Sequence, residues 1–357
     1  MPRLSFSLLI LGVVLTATAW SADSSPEGLL QAGHIKRLRA WAEPRVAANP
    51  NDARASYYLA SAKEELGDLD RALPLAEKAL SLDASNASYH LLVANICIEQ
   101  GQKAGVFKGL GLARRFRDEA SKAASLDPKD IDARDALMEY YFEAPGIAGG
   151  DKKRAWALAD EIGKIDGVRG LLAQATLAGK EKNSDKQDAL YQQAMATVPH
   201  DARVLREAAA FYSSDSVKNY DLAEKDALEA IKLDEDQASP YIVLAAVYAS
   251  AERWKDLDAI IAQSEKNIPD NFGAYYQTAK ILLLSGKDLP RAERYLRKYL
   301  TIEPEAGQPP SAAAHWRLGL VLEKEGKKTD AIAEVQEAVR LQPDFKPAKD
   351  DLNRLKK

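Results

Sequence analysis

ARASYYLASAKEELGDLDRALPLAEKALSLDASN, residues 53–86, decides the fold of this chain. Small residues stand at Ala60, Ala72, Ala76 and Ala79, Gly67 interrupts the middle, and Leu82-Asp83-Ala84 closes the segment. Close packing accounts for the spacing: two antiparallel helices meet where Ala60 faces Ala72, and only small side chains let the backbones approach there. Gly67 ends the first helix, because a left-handed C-cap costs glycine almost nothing, and Asp68 beside it is placed to cap the second. From Ala87, a step of 34 residues, the pattern returns with Val93, Ala94 and Gly101.

Working outward, the device recurs as Leu244, Ala245 and Tyr248 before Pro269, and as Trp316, Leu318, Gly319, Gly326, Ala331, Ala338 and Pro343. Helix-ending Pro50, Asp127-Pro128, Pro199, Asp234, Pro269, Pro304 and Pro343 punctuate the chain at intervals that mark about eight units. The pattern resembles the tetratricopeptide repeat over nearly all of residues 26–357. That resemblance implies an all-α fold, a right-handed superhelical solenoid of antiparallel helix pairs, with about eight repeats. Residues Pro26 to Asn49 read as a shortened first unit, and Pro347 to Leu355 as a polar capping helix over the last apolar face. For function the resemblance implies a scaffold or peptide receptor rather than an enzyme.

The first residues differ from everything after them. Arg3 gives a positive start, Leu8 to Leu15 an apolar run, and Ala17-Thr18-Ala19 a small-residue cleavage site. Residues 1–19 are therefore expected to be a signal peptide, cut between 19 and 22, which makes the mature protein periplasmic or secreted. The apolar run is shorter than the roughly 20 residues that span a bilayer, and no later segment is long enough to do so. Cys97 is the sole cysteine. It excludes an internal disulfide, lies too far from the cleavage site to carry a lipoprotein anchor, and reads as a small buried hydrophobe between Ile96 and Ile98.

Composition narrows function further. The 49 Lys and Arg against 53 Asp and Glu leave a formal charge of −4, which gives no general drive toward nucleic acid or anionic lipid. His34, His90, His200 and His315 stand in different units without a second His or Cys at metal-ligand spacing, and His90 falls where an aromatic ring packs in the core. Neither Gly-x-Ser-x-Gly nor His-Glu-x-x-His occurs. No catalytic residue, cofactor or metal is expected.

Two insertions break the period, near 102–116 and 144–151. The first brings a local basic patch, Lys103, Lys108, Arg114 and Arg115, with Arg117 beyond it; it reads either as an anion or acidic-partner site or as a lengthened helix with a solvated face. Its Gly105-Val106-Phe107-Lys108-Gly109 lacks the Gly-Lys-Ser/Thr ending of a phosphate loop. The second, Ala144 to Asp151, reads as a Pro- and Gly-shaped turn with Asp151 capping the next helix.

In the family that the chain resembles, the first helix of each unit lines a concave groove. Its second, fifth, ninth, twelfth and thirteenth positions here include Tyr57, Glu64 and Glu65; Asn95 and Glu99; and Asp132, Asp135, Glu139, Phe142 and Glu143. This acidic stretch, with Tyr57 and Phe142 as aromatic anchors, would attract a protein or peptide with a basic segment. The Lys and Asn clamp that grips a C-terminal carboxylate in some relatives is absent, since Tyr57, Ser61, Asp132 and Ala136 stand in its places. Further on, Ile242, Ala246, Ala249, Tyr276, Leu283 and Leu284 predict an apolar half-groove, so that one ligand would need a basic and a hydrophobic end. A solute-binding protein of an envelope transport system is the competing reading; a closed apolar channel would favour it, and an open acidic groove a protein partner.

Overall fold

The computed structural model describes residues 25–357. The leader expected at residues 1–19 lies outside them. Nineteen α-helices and one short 3-10 turn make up the described residues, with no strand among them. A short hairpin, α1 (Pro26–Ala32) and α2 (Ile35–Ala48), comes first. Eight antiparallel pairs follow: α3 (Ala53–Glu65) with α4 (Leu69–Leu82), α5 (Ala87–Lys103) with α6 (Val106–Leu126), α7 (Ile131–Glu143) with α8 (Lys152–Ile165), and α9 (Gly167–Lys180) with α10 (Ser184–Thr197). Then come α11 (Ala202–Ser213) with α12 (Tyr220–Leu233), α13 (Ala238–Ser250) with α14 (Trp254–Asn267), α15 (Gly273–Ser285) with α16 (Leu289–Tyr299), and α17 (Ser311–Lys324) with α18 (Lys328–Leu341). Helix α19 (Lys346–Leu355) ends the array.

The small residues do what their spacing predicts. Ala60, Ala72 and Ala76 are wholly buried and pack with Leu92, Val93, Ile96 and Cys97 of the next pair, so each unit completes the core of its neighbour. In the last pair a Cβ on Gly319 would lie 2.4 Å from Cγ2 of Val335, which is why the contact takes no side chain at all. First helices start on Asx caps: Asp52, Asn86 and Asp130 accept from the N–H groups of Ala55, Tyr89 and Ala133. Gly67 is left-handed at φ +78°. Asp68 departs from its expected role. It sits at the start of α4 without bonding the helix N-terminus, and instead holds Arg71 at 2.6 Å and Lys63 at 3.5 Å. The α19 face closes the array through buried Ala348 and Leu355 against Val335 and Ala338.

A long-range contact joins the two ends of the array. The α1–α2 hairpin packs against the turns before α13, α15 and α17. His34 Nε2 lies 2.9 Å from Asp236 Oδ1, and His34 Nδ1 lies 3.5 Å from Asp270 Oδ2. Arg37 Nη2 donates to Asp270 Oδ1 at 2.8 Å, while its Nε approaches Oδ2 at 2.8 Å as a charge contact outside hydrogen-bond angles. Lys36 Nζ donates to the main-chain oxygens of Asp270 at 2.8 Å and Glu303 at 2.6 Å, and Arg39 grips the Glu303 carboxylate with both Nη atoms. Burial alone would lower the His34 pKa, but the hydrogen bond and charge of Asp270 outweigh it and raise the imidazole above its ordinary value. Reciprocally, burial would raise Asp270, and His34 with Arg37 brings it below the usual carboxylate range. The first hairpin is thus clasped to the turns before α13, α15 and α17.

Candidate functional site

The two insertions meet. Extra residues lengthen α5 to 17 residues and α6 to 21, so both project past their neighbours. The second insertion folds into the 3-10 turn Gly146–Ala148, and Asp151 caps α8 by accepting from the N–H groups of Lys153 and Arg154. A Cβ on Gly150 would fall 1.7 Å from the carbonyl oxygen of Ala144, so close approach requires that glycine, and Gly149 takes a left-handed φ of +92°. The Arg117 guanidinium of α6 lies against the turn at Gly149. The Tyr140 hydroxyl donates to the carbonyl of Ala148 from the other side.

Between these walls and the first helices lies an open groove with a cavity of about 1140 Å³. Its floor comes from α3, α5 and α7 with Glu64, Glu65, Asn95, Glu99 and Glu139, and its wall from Val106, Leu110, Phe116, Tyr140 and Ile147. A second cavity of about 620 Å³ shares Glu64, Glu65 and Asn95 and adds Tyr57, Ser61 and Leu91. Tyr57 is half-buried, its ring 5.1 Å from that of Tyr89, and burial pushes its hydroxyl up to about 12.

The carboxylates of this face fall into two kinds. Arg169 of α9 donates to Asp132 at 2.9 Å and to Asp135 at 2.7 Å, and Lys180 reaches Glu139 at 3.3 Å and also binds Glu143. The next unit therefore supplies two cations against these four carboxylates. Glu64, Glu65 and Glu99 have no such cation. Glu64 is only 9% exposed and makes no hydrogen bond or ion pair; burial first, then the charges of Glu65 and Glu99, pushes its carboxyl up to about 9. Burial also raises Glu65 and Glu99, the latter despite the charge of Lys103.

Other sequence candidates lie elsewhere. Phe142 is no groove anchor: it is 8% exposed, packed among Leu137, Tyr141 and Leu158, with the Lys152 ammonium 4.6 Å from its ring centre. Of the apolar positions read in the second half, Ala249, Tyr276 and Leu283 are buried and Arg317 is bonded to the Tyr276 hydroxyl, Ile242 and Ala246 are half-buried, and Leu284 is 71% exposed. On the insertions, Val106 is 75%, Phe107 92% and Ile147 83% exposed. The basic residues are dispersed: Lys103 and Lys108 line a separate cleft with Asp68 and Asp70, Arg114 points to solvent, and Arg115 pairs with Glu77 at 2.6 Å. Cys97 is buried, and His90 is buried with Nδ1 2.6 Å from Glu119. Among the described residues no helix is long and apolar enough to cross a membrane, and no group of three or more His, Cys, Asp or Glu could hold a metal ion.

The paired helices, the small-residue contacts and the lined inner face define a helical-repeat solenoid. The tetratricopeptide-repeat family model matches residues 38–88, 59–105 and 305–344, and these segments are tetratricopeptide repeats. Proteins of this family are generally scaffolds that bind other proteins. Yeast Tom70 is similar in structure, with 17% identity and a TM-score of 0.49 over 93% of this chain and 80% of that one. So is a thermophilic tetratricopeptide protein of Thermus thermophilus, with 18% identity and a TM-score of 0.45 over 52% of this chain and 94% of that one. A tetratricopeptide protein of Parabacteroides merdae shares 15% identity at a TM-score of 0.42, over 85% of this chain and 99% of that one. No curated protein sequence matches the chain.

Proposed function

We propose that this chain is a non-catalytic exported scaffold that binds a protein partner carrying a basic segment. The observation that carries the reading is the open groove floored by Glu64, Glu65 and Glu99, three acidic side chains that make no ion pair within the array. Electrostatic complementarity of this kind selects a cationic partner and speeds its encounter. An open, mixed-polarity groove also suits a polypeptide better than a small solute, which is enclosed over most of its surface. Export rests on the leader read at Arg3, Leu8 to Leu15 and Ala17-Thr18-Ala19.

Affinity capture from envelope extract tests this, with the full chain compared against a Glu65→Lys, Glu99→Lys variant. Both residues have exposed carboxyl edges in the groove, so the exchange should leave the fold intact. A protein retained by the first and lost by the second supports the reading. Identical retention by both, or none, rejects it.

A further inference from the structure

We propose that the Glu64 end of the groove is a socket for one Lys or Arg side chain of a partner polypeptide, with large apolar residues beside that cation in the partner sequence. The inference rests on the concave face being the protein-binding face and specifies what binds there. Asp132 and Asp135 share Arg169, and Glu139 and Glu143 share Lys180, whereas Glu64, Glu65 and Glu99 have no ion pair among the described residues. Glu64 is the most buried of these.

An ionised carboxylate at this depth without a partner is costly, so Glu64 is held protonated, and a cation from outside the chain would let it ionise. Glu64 borders both cavities, so its carboxyl is directed into the groove and not into the core. Beside it the insertions put up an apolar wall, Val106, Leu110 and Ile147, of which the first and last are largely exposed. The alkyl stem of Lys or Arg lies along such a wall while its charged end reaches the floor. Neighbouring apolar residues of the partner then cover Val106 and Ile147. The facing ionisable groups are Tyr57 and Glu65 on α3, Glu99 on α5, Asp132, Glu139, Tyr140 and Glu143 on α7 with Asp127, Lys129 and Asp130 in the turn before it, and Arg169 on α9, already paired with Asp132 and Asp135, while α6 brings no charge into the larger cavity. Because Glu64 keeps its proton to about 9, an arriving cation at neutral pH displaces that proton.

Random nonapeptides displayed on phage, panned against the full chain, test the socket. Enriched peptides are resynthesised with their Lys or Arg intact and with acetyl-lysine in its place, and titrated by calorimetry in two buffers of different ionisation heat. We expect a Lys or Arg next to large apolar residues, and a loss of about tenfold or more in affinity on acetylation, in Glu64→Gln and in Ile147→Asp. Protons should be released on binding to the parent and not to Glu64→Gln. Ile147→Asp changes an exposed turn residue, so its effect does not depend on how Glu64→Gln folds. Enriched peptides without a cation, no enrichment, or unchanged affinity for Glu64→Gln would overturn the proposal. If envelope capture still depends on Glu65 and Glu99 in that case, the face binds protein by other contacts; if capture fails too, the scaffold reading falls with it.

Discussion

Asp270 and Glu64 are buried to the same degree, 8% and 9% exposed, yet they have opposite fates. Asp270, in the turn before α15, is met by His34 and Arg37 from the first hairpin and is held ionised below the usual range. Glu64, at the end of α3, meets only other carboxylates and keeps a proton to about 9. Glu305 lies between them. It accepts from the N–H groups of Lys36 and Ala306, but burial, helped by the Asp270 charge, raises its pKa against those bonds and the Lys36 charge. Burial sets the penalty, and the neighbour decides whether a carboxylate becomes a structural clasp or an open request for a cation.

The comparison breaks most visibly if Asp270→Ala leaves the clasp intact. Removing this carboxylate breaks its buried contacts with His34 and Arg37, so a loss of about 3–5 kcal/mol is expected in denaturant unfolding. Hydrogen exchange should localise the change to residues 35–48 and 300–306.

Glu64→Gln should act the other way. A carboxyl raised in the folded state stabilises fully below its ordinary value of 4.5 and loses that contribution as pH rises toward about 9. The variant should therefore match the parent near pH 4 and exceed it at pH 8, by on the order of 1–3 kcal/mol. Equal melting temperatures at pH 8 would show that Glu64 has a partner after all.

A smaller effect follows for His34. Its raised pKa gives stability that is present below 6.5 and lost as pH rises through the shifted value, whereas lowered Asp270 gives stability present above 3.8 and lost as pH falls. The Tm difference between the parent and His34→Gln should be largest near pH 6 and shrink by pH 9. The least effect is expected for Lys180→Met. Its partners Glu139 and Glu143 are half exposed or more, so the change should stay within about 1 kcal/mol.

The fold was legible because tetratricopeptide packing is local: Ala60, Ala72 and Gly319 report contacts within one unit or between adjacent units, at fixed spacing. The acidic floor was legible for the same reason, since Glu64, Glu65, Asn95 and Glu99 come from adjacent first helices. What escaped depends on neighbours that no single-unit rule contains. Arg169 and Lys180 quench Asp135 and Glu139 from the following pair, Phe142 turns into the core under Lys152, and the turn at 144–151 leans on α6 through Arg117. His34 looked isolated because its partners Asp236 and Asp270 lie more than half the chain away.

The clasp also bears on how the chain assembles. Solenoids fold by propagation between neighbours, with low contact order and no obligatory first step. The α1–α2 hairpin is an exception, since it is synthesised before the turns that hold Asp270, Glu303 and Glu305 and docks only when the array between them exists. Closing so long a loop in a flexible chain carries a heavy entropic cost; a pre-wound superhelix offers the three turns already spaced and removes most of it. The first hairpin of the array is thus the last to lock, and its locking reports that every unit in between has wound correctly.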